Sequence, residues 1–549
     1  MVRTTLAFRG LSTIVFVRME KMFNNAGPSV AGQHYMIDPL ERINSQEIEA
    51  LIAQQRYFVL HAPRQTGKTT SLLALAQYLN AQDKYQACYA NIEGAQTARQ
   101  DVAEGLRTVC GAIERGAKGD LHDERLHAWT EMAWSANGPN GVLTGLLQSW
   151  SENSDRPVVL MLDEIDSLVG DTLISVLRQI RAGYADRPRR FPQAVILCGV
   201  RDVRDYRIHT AHQEIITGGS AFNIKAESLR LGNLSRQETE SLWRQHQQET
   251  GQQIDPAIFP ELWEDTHGQP WLVNVLGYEV TWKDRELRDR SRPITLERYK
   301  AARERLIQSR ATHLDQLTDK LREKRVRRVI EALLSGEPVE ERFPEDDLQY
   351  LVDQGLIRRK PQLTIANRIY REILPREITA PMQDVLTQSQ LWYVGPDHRL
   401  DLPKLLSAFQ QFFREHSEAW LDRFEYSEAG PQLLMQAFLQ RIVNGDGRVM
   451  REYGLGRRRT DLFIEWPLDK ARGYQGPLQK IVVELKLLRT APETTLGDGL
   501  RQTAECADKC GADEAYLLIF DRRPDRSWEE RIWQRAESRA GRTINVWGM

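Results

Sequence analysis

The stretch Tyr57-Phe-Val-Leu-His-Ala-Pro-Arg-Gln-Thr-Gly-Lys-Thr-Thr70 decides the fold of the first half of this chain. Tyr57-Phe-Val-Leu60 is a short apolar run that reads as a buried strand. Lys68 to Leu79 has helical periodicity. Between them Ala62-Pro-Arg-Gln-Thr-Gly-Lys-Thr69 has the spacing of a phosphate-binding loop, with Ala62 where the first glycine usually stands. Such a loop turns backbone N–H groups inward around phosphates, and Gly67 lets the backbone approach closely. Lys68 supplies a point charge, the Thr69 hydroxyl is a Mg²⁺ ligand, and the helix N-terminus adds a partial positive charge. The expected nucleotide-binding set is therefore Ala62, Pro63, Arg64, Gln65, Thr66, Gly67, Lys68, Thr69 and Thr70.

Working outward, Ser45 to Gln55 reads as a helix capped by Ser45. Tyr85–Ile92, Val158–Leu162 and Ala194–Cys198 read as further strands. Continuous apolar strands separated by long helical stretches predict a parallel sheet of βαβ units. About 95 residues after Lys68, the strand Val158–Leu162 runs into Asp163-Glu164. Asp163 is placed to hold Mg²⁺ and Glu164 to polarise an attacking water. Asp166 reads as the N-cap of the following helix. Arg178 and Arg181 on that helix read as solvated charges, with action across a subunit contact as the alternative.

The chain has 549 residues, enough for three or four domains at about 150 residues each. It is 41% hydrophobic and 27% charged, which excludes a disordered tail protein or a disulfide miniprotein. With 74 Lys+Arg against 76 Asp+Glu the net charge is -2, so any nucleic-acid surface must be local. Five cysteines point to a reducing compartment and a cytoplasmic protein. No apolar run is long enough to cross a bilayer, so no membrane partner is expected. Leu11–Val17 is too short and is bounded by Arg9 and Arg18, and Met19 or Met22 is the expected start.

From about residue 27 to 305 the chain resembles the AAA+/STAND class of P-loop ATPases. The resemblance rests on the two phosphate motifs, on Gly199-Val-Arg201 after the strand Ala194–Cys198, and on His267-Gly-Gln-Pro270 opening a helix. It implies a phosphate-sensing role for Arg201 and an adenine contact for Pro270. The residues alone equally allow a surface arginine and a proline in a first helical turn. Residues 310–377 carry a basic helix (Lys320, Arg322, Lys324, Arg325, Arg327, Arg328) and then Leu356-Ile-Arg-Arg-Lys360. That pattern resembles a winged helix-turn-helix, for which DNA phosphate contact and intramolecular packing are the alternative uses. Pro375 to Gln390 reads as a linker.

Beyond it, Leu402 to Val443 reads as helical. Strand patterns follow at Arg448–Tyr453, Asp461–Trp466, Ile481–Leu485 and Ala515–Phe520, with a helix at Gly499–Cys510. Asp461 opens one strand, and Glu484-Leu-Lys486 ends the next about twenty residues later. Alternation places Glu484 and Lys486 on one face. Asp461 and Glu484 can then share Mg²⁺, or Mn²⁺ in its place, while Lys486 orients a nucleophilic water. This order resembles the PD-(D/E)xK nuclease superfamily over residues 402–535. The resemblance gives Gln502 a site-lining position and Arg457, Arg458 and Arg459 a phosphate role. The usual first-helix acid has no clear counterpart: Glu428 lies near the start of that helix, and the amide Gln436 lies within it.

The expected organisation is an N-terminal extension (1–26), a P-loop ATPase core (27–235), a helical lid (236–308), a winged-helix-like domain (309–378), a linker (379–401) and a nuclease-like domain (402–549). The fold class is α/β: a P-loop AAA+-like parallel sheet with a lid, and a restriction-endonuclease-like α/β domain at the C-terminus. The expected function is ATP-controlled, metal-dependent cleavage of nucleic acid, DNA in preference to RNA. By resemblance such a protein serves defence against foreign DNA, and self-assembly is open. The rival is a regulatory ATPase that binds DNA or protein through a degenerate nuclease fold.

Overall fold

The computed structural model describes residues 3–5, 14–16, 20–202, 207–209, 215–217, 225–308, 319–334, 342–374, 393–421, 435, 438–439, 443, 447–455, 458–469, 472–488, 492–521, 523 and 526–549. The chain forms two compact units, one of residues 1–302 with 353–355 and one of 303–352 with 356–549. The expected linker Pro375–Gln390 lies outside the described residues, as do Glu428, Gln436 and Arg457.

In the first unit α1 (Ser45–Ala53) leads into β1 (Tyr57–His61), the loop, and α2 (Lys68–Ala81). β2 (Gln86–Asn91) follows, then three helices: α3 (Val102–Leu121), α4 (Leu126–Asn137) and α5 (Val142–Glu152). β3 (Val158–Asp163), α6 (Gly170–Ala182), β4 (Ala194–Gly199) and β5 (Lys225–Arg230) complete the core. The sheet order is β2-β3-β4-β1-β5, and every pairing is parallel. The continuous apolar runs follow from burial on both faces. Tyr57, Val59, Val158, Leu160, Leu162, Val195 and Leu197 pack in one core with α3 to α6. Phe58, Leu60, Val159, Met161, Ala194, Ile196 and Cys198 pack in the other with α1 and α2. Successive strand residues thus alternate between two cores, and no polar face is left to produce a period-two pattern.

Two local expectations change. The residue before α1 is Asn44, in a left-handed conformation without a side-chain cap bond, so Ser45 is the first helical residue and not the cap. Asp166 caps no helix: its Oδ1 accepts the Val200 N–H at 3.0 Å, tying the end of β3 to the end of β4.

Beyond β5, Ser235 and Glu238 form a reciprocal capping box that starts α7 (Arg236–Thr250). α8 (Ile258–Thr266) and α9 (Pro270–Tyr278) follow. Pro270 sits at the start of α9, where its missing N–H removes nothing, and the Gln269 side chain accepts the Leu272 N–H at 2.6 Å.

In the second unit α10 (Lys324–Leu334) and α11 (Glu345–Asp353) precede a small hairpin of β6 (Ile357–Arg358) and β7 (Thr364–Ile365). Five of the six bases around α10 have partners inside this region. Lys320 bonds Glu323 at 3.0 Å and the Tyr350 hydroxyl at 3.2 Å. Arg325 stacks on Tyr350 at 3.5 Å, Arg328 lies 5.1 Å over Phe343, and Arg327 pairs with fully buried Glu331 at 2.8 Å. Arg322 is 3.6 Å from Asp319, and Lys324 is also engaged. Packing therefore accounts for much of the basic pattern.

α12 (Leu402–Leu421), β8 (Arg448–Leu455), β9 (Arg458–Pro467), β10 (Leu478–Leu488), α13 (Pro492–Cys510), β11 (Glu514–Asp521), β12 (Trp533–Arg539) and β13 (Arg542–Gly548) complete the unit. The sheet order is β8-β9-β10-β11-β13-β12. β8, β9 and β10 form an antiparallel meander, while β10 and β11 pair in parallel across α13. All five cysteines are free thiols, and among the described residues no helix is long and apolar enough to cross a membrane.

Candidate functional site

The first site forms where the loop after β1 meets the end of β3. Gly67 has φ 92, a left-handed conformation that favours glycine, and a Cβ there would lie 2.8 Å from Arg42 Nη1, the movable end of a side chain. Lys68 is buried and donates to the carbonyls of Ala62 at 3.0 Å and Pro63 at 3.1 Å. Its ammonium thus already lies inside the loop. The Thr69 hydroxyl donates to Asp163 Oδ2 at 2.7 Å. That bond brings the two expected Mg²⁺ partners together. Asp163 is fully buried and also accepts the Tyr89 hydroxyl at 2.9 Å and the Glu164 N–H at 3.0 Å. Burial, with Asp166 beside it, pushes the Glu164 carboxyl above its ordinary value, against the pull of Lys68. A carboxylate so perturbed is a stronger proton acceptor.

A cavity of about 130 Å³ opens beside the loop. Its walls include Gln65, Gly67, Thr70 and Ser71 from the loop and α2, Pro270, Trp271 and Asn274 from α9, and Asn24 to Gly27, Tyr35 and Met36 from the N-terminal segment. That segment is stitched in place. The Ser29 N–H donates to Thr70 Oγ1 at 3.0 Å, and the Trp271 indole N–H donates to the Asn25 carbonyl at 3.0 Å. Pro270, for which the resemblance implied an adenine contact, lies in the wall. Arg201 does not line this cavity; its Nε is 3.7 Å from Oδ2 of Asp353, which belongs to the same unit.

Sequence reasoning missed Tyr89, Arg42 and the N-terminal segment. Tyr89 carried one weak signal, as a polar tip in a buried strand.

The second site lies where the β9–β10 pairing stops: Asp461 does not open its strand and Glu484-Leu-Lys486 does not end the next, because both strands run a few residues past them. The register pairs Leu462 with Val483, which sets Asp461 beside Glu484. Asp461 Oδ2 accepts the Leu485 N–H at 2.7 Å. Lys486 Nζ donates to Glu484 Oε1 at 2.9 Å. Glu484 is 3% exposed, and among the described residues its Oε2 is buried without a hydrogen-bond partner. An orphaned carboxylate oxygen beside a second carboxylate is a donor set suited to a hard cation. α13 covers the cluster. Cys506 feels the charges of Glu484 and Asp461, and Asp498 acts on Lys486, so the Asp498–Gln502–Cys506 face turns toward these side chains. Gln502 Oε1 is itself buried without a partner. The side chains of Arg458 and Arg459 fall outside the described residues.

Two carboxylates and one ammonium leave an excess negative charge in this pocket. Burial, then Asp461, pushes the Glu484 carboxyl up to about 7, while Lys486 opposes the shift. Burial pulls Lys486 down, and Glu484 and Asp461 outweigh it and raise its pKa.

Residues 52–206 match the family model of an AAA domain. This stretch is an AAA-type P-loop domain. The Walker-type ATPase PABY2304 of Pyrococcus abyssi aligns at 14% identity and a TM-score of 0.43, over 64% of this chain and 99% of that one. Cdc6p of Pyrobaculum aerophilum aligns at 16% and 0.35, over 66% and 98%. The Thermotoga maritima RuvB Holliday junction branch migration motor aligns at 15% and 0.33, over 63% and 97%. No curated protein matches the sequence significantly.

The raised Glu484 value generates a pH prediction. Its folded pKa, about 7, exceeds the ordinary 4.5, so between those values the folded state binds more protons than the unfolded one. Stability from this group is therefore full below pH 4.5 and falls as pH rises, by at most about 1.4 kcal/mol per pH unit. In metal-free protein, the thermal midpoint of wild type minus that of Glu484→Gln should decrease steadily from pH 5 to pH 7.5. A flat difference would contradict the assigned burial of charge.

Proposed function

We propose that this chain is an ATP-binding and ATP-hydrolysing switch that controls a metal-dependent nuclease in its C-terminal region, acting on DNA. The ATP half is supported by the AAA domain over residues 52–206 and by the Thr69–Asp163 contact of 2.7 Å. In this reading Lys68 binds the β and γ phosphates, and the N–H groups of the loop cradle them. Thr69 and Asp163 hold Mg²⁺, which offsets phosphate charge. Glu164 takes up the proton of the attacking water, giving ADP and phosphate. Pro270 and the N-terminal segment enclose the base.

The nuclease half is carried by one observation: Glu484 Oε2, buried and unpartnered, beside Asp461 and Lys486. Here Asp461 and Glu484 hold Mg²⁺ or Mn²⁺, which supplies Lewis acidity to a phosphodiester. Lys486 orients water and offsets the charge that develops on the phosphoryl oxygens. Gln502 adds an acceptor from α13. The resemblance of residues 402–535 to PD-(D/E)xK nucleases supports the same assignment.

The test is cleavage of plasmid and linear DNA with Mg²⁺ or Mn²⁺, with and without ATP. Asp461→Ala and Lys486→Ala should each cut at least about a hundredfold more slowly while hydrolysing ATP normally. Lys68→Ala should lose ATP binding, and Glu164→Gln should bind ATP without turning it over. Should wild type and Asp461→Ala behave alike on every substrate, the C-terminal region is a recognition surface instead. Control of cutting by the ATPase fails separately if Lys68→Ala cuts at the wild-type rate under all nucleotide conditions.

Tyr89 gives a second test of the ATP site. Tyr89→Phe keeps the ring and removes one of the three bonds that orient Asp163. Losing such an outer-shell bond weakens metal binding by about tenfold. Manganese titration followed by spin resonance in the presence of ADP should show that weakening, with ADP affinity in EDTA unchanged. Equal Mn²⁺ affinity in the two proteins would deny Tyr89 this role.

A further inference from the structure

Arg42 closes the helical turn Pro39–Arg42, upstream of the phosphate loop. Its Nη1 donates to the Thr66 carbonyl at 2.8 Å, and its Nη2 donates to the Gly232 carbonyl at 2.9 Å. Thr66 belongs to the phosphate loop. Gly232 belongs to the segment that leaves β5 and enters α7. One guanidinium therefore joins two parts of the chain 166 positions apart. The planar fork suits this task, because its two amino groups point at separate acceptors in fixed geometry. The Cβ limit at Gly67 shows how closely the fork lies against the loop.

The Gly232 side of the fork is connected onward. The Leu234 N–H donates to the Gly268 carbonyl at 2.8 Å, and Asn233 Nδ2 donates to the His267 carbonyl at 3.1 Å. Gly268 has φ +69, and a Cβ there would fall 1.8 Å from the Leu234 carbonyl oxygen, so these two segments have no room to separate side chains. Two residues later Pro270 opens α9, whose Pro270, Trp271 and Asn274 line the cavity. Arg42 itself lines that cavity. Glu238 in the first turn of α7 also attracts the Arg42 charge. The loop, Arg42, the segment 231–235, the turn 267–269 and α9 thus form one continuous polar path.

We propose that Arg42 is a positioning residue that links the occupancy of the phosphate loop to the order of α9 and the segment before α7. The proposal rests on the ATP reading above and adds the route by which nucleotide would be felt outside the loop. Nucleotide seated in the loop shifts the Thr66 carbonyl that Nη1 holds, and the planar fork carries that shift to its other acceptor, the Gly232 carbonyl. The path to α9 changes with it. By linkage, the state of α9 affects nucleotide affinity by the same factor.

Amide exchange of the full chain, read by mass spectrometry with and without MgATPγS, tests this. Nucleotide affinity is measured in parallel with a fluorescent ATP analogue. Wild type should bind and should change exchange at residues 231–235 and 268–276. Arg42→Lys keeps the charge and loses the fork. It should still bind, within about tenfold of wild type, while the exchange response at 231–235 disappears, that at 268–276 falls to the part the enclosed base itself protects, and that at the start of α2 persists. Arg42→Gln serves as a second variant should the lysine variant misfold, with the same expectation. An unchanged response in a variant that binds would overturn the proposal. So would a variant that folds but no longer binds, since Arg42 would then be a ligand-binding residue. Wild type that binds without any response at either segment overturns the link and leaves the ATP reading intact. Wild type that binds no nucleotide removes that reading, and the link falls with it.

Discussion

Asp163 accepts three hydrogen bonds from three places in the chain: the Thr69 hydroxyl, the Tyr89 hydroxyl and the Glu164 N–H. A fully buried carboxylate is costly unless its oxygens are satisfied, so this arrangement constrains much of the first unit. β2 must pair with β3 in the register that sets Asn91 opposite Asp163, because only then does Tyr89, two residues back, share the face of Asp163. α2 must begin at the same edge of the sheet, so that Thr69 arrives above the end of β3. The left-handed turn at Gly67 makes that start possible. The two cores on either side of the sheet hold the strands to this register. Packing, sheet order and site geometry are one constraint seen at three scales.

The strands of this unit were legible because burial on both faces leaves an unmistakable mark. Val158–Leu162 is apolar at every position, and alternate residues enter opposite cores. The loop was legible because phosphate chemistry needs glycine, lysine and a hydroxyl at fixed spacing. The errors have equally local causes. Ser45 and Asp166 both looked like caps because they are short polar residues ahead of helical patterns. The structure instead uses Asp166 across the sheet, on the Val200 N–H, and cap preference cannot anticipate a partner 34 positions away. Arg42 and Tyr89 escaped for the same reason, since each acts through a partner distant in sequence.

The basic helix α10 shows the opposite difficulty. Its sequence is dense in positive charge, which suggests a phosphate-binding face. The structure distributes those charges onto Glu323, Glu331, Tyr350 and Phe343. A guanidinium stacked on a tyrosine ring gives up little by being there, and its aliphatic stem covers apolar surface. Composition reports the number of charges and says nothing about what each one faces. In the C-terminal region composition was uninformative, and spacing was the usable signal: Asp461 and Glu484-Leu-Lys486 lie together because their strands are antiparallel neighbours in that register.

The two carboxylate sites differ in a way that bears on their chemistry. Asp163 is saturated by donors from the protein, so it is held in one orientation and approaches a cation as a fixed element. Glu484 has one donor, Lys486, and one oxygen without a partner. Its neighbour Asp461 adds a second negative charge, and the ordinary cost of burying both is relieved only by a proton or a cation. In the metal-binding reading proposed above, such a pocket would exchange one for the other as the Glu484 carboxyl, pushed up to about 7, titrates. Cation binding there would release a proton and remove the repulsion with Asp461 in the same event. Structural stability and cation affinity are then opposed in the empty pocket and aligned in the filled one. An arrangement kept for packing alone would be expected to place a donor on Glu484 Oε2, and among the described residues none does so.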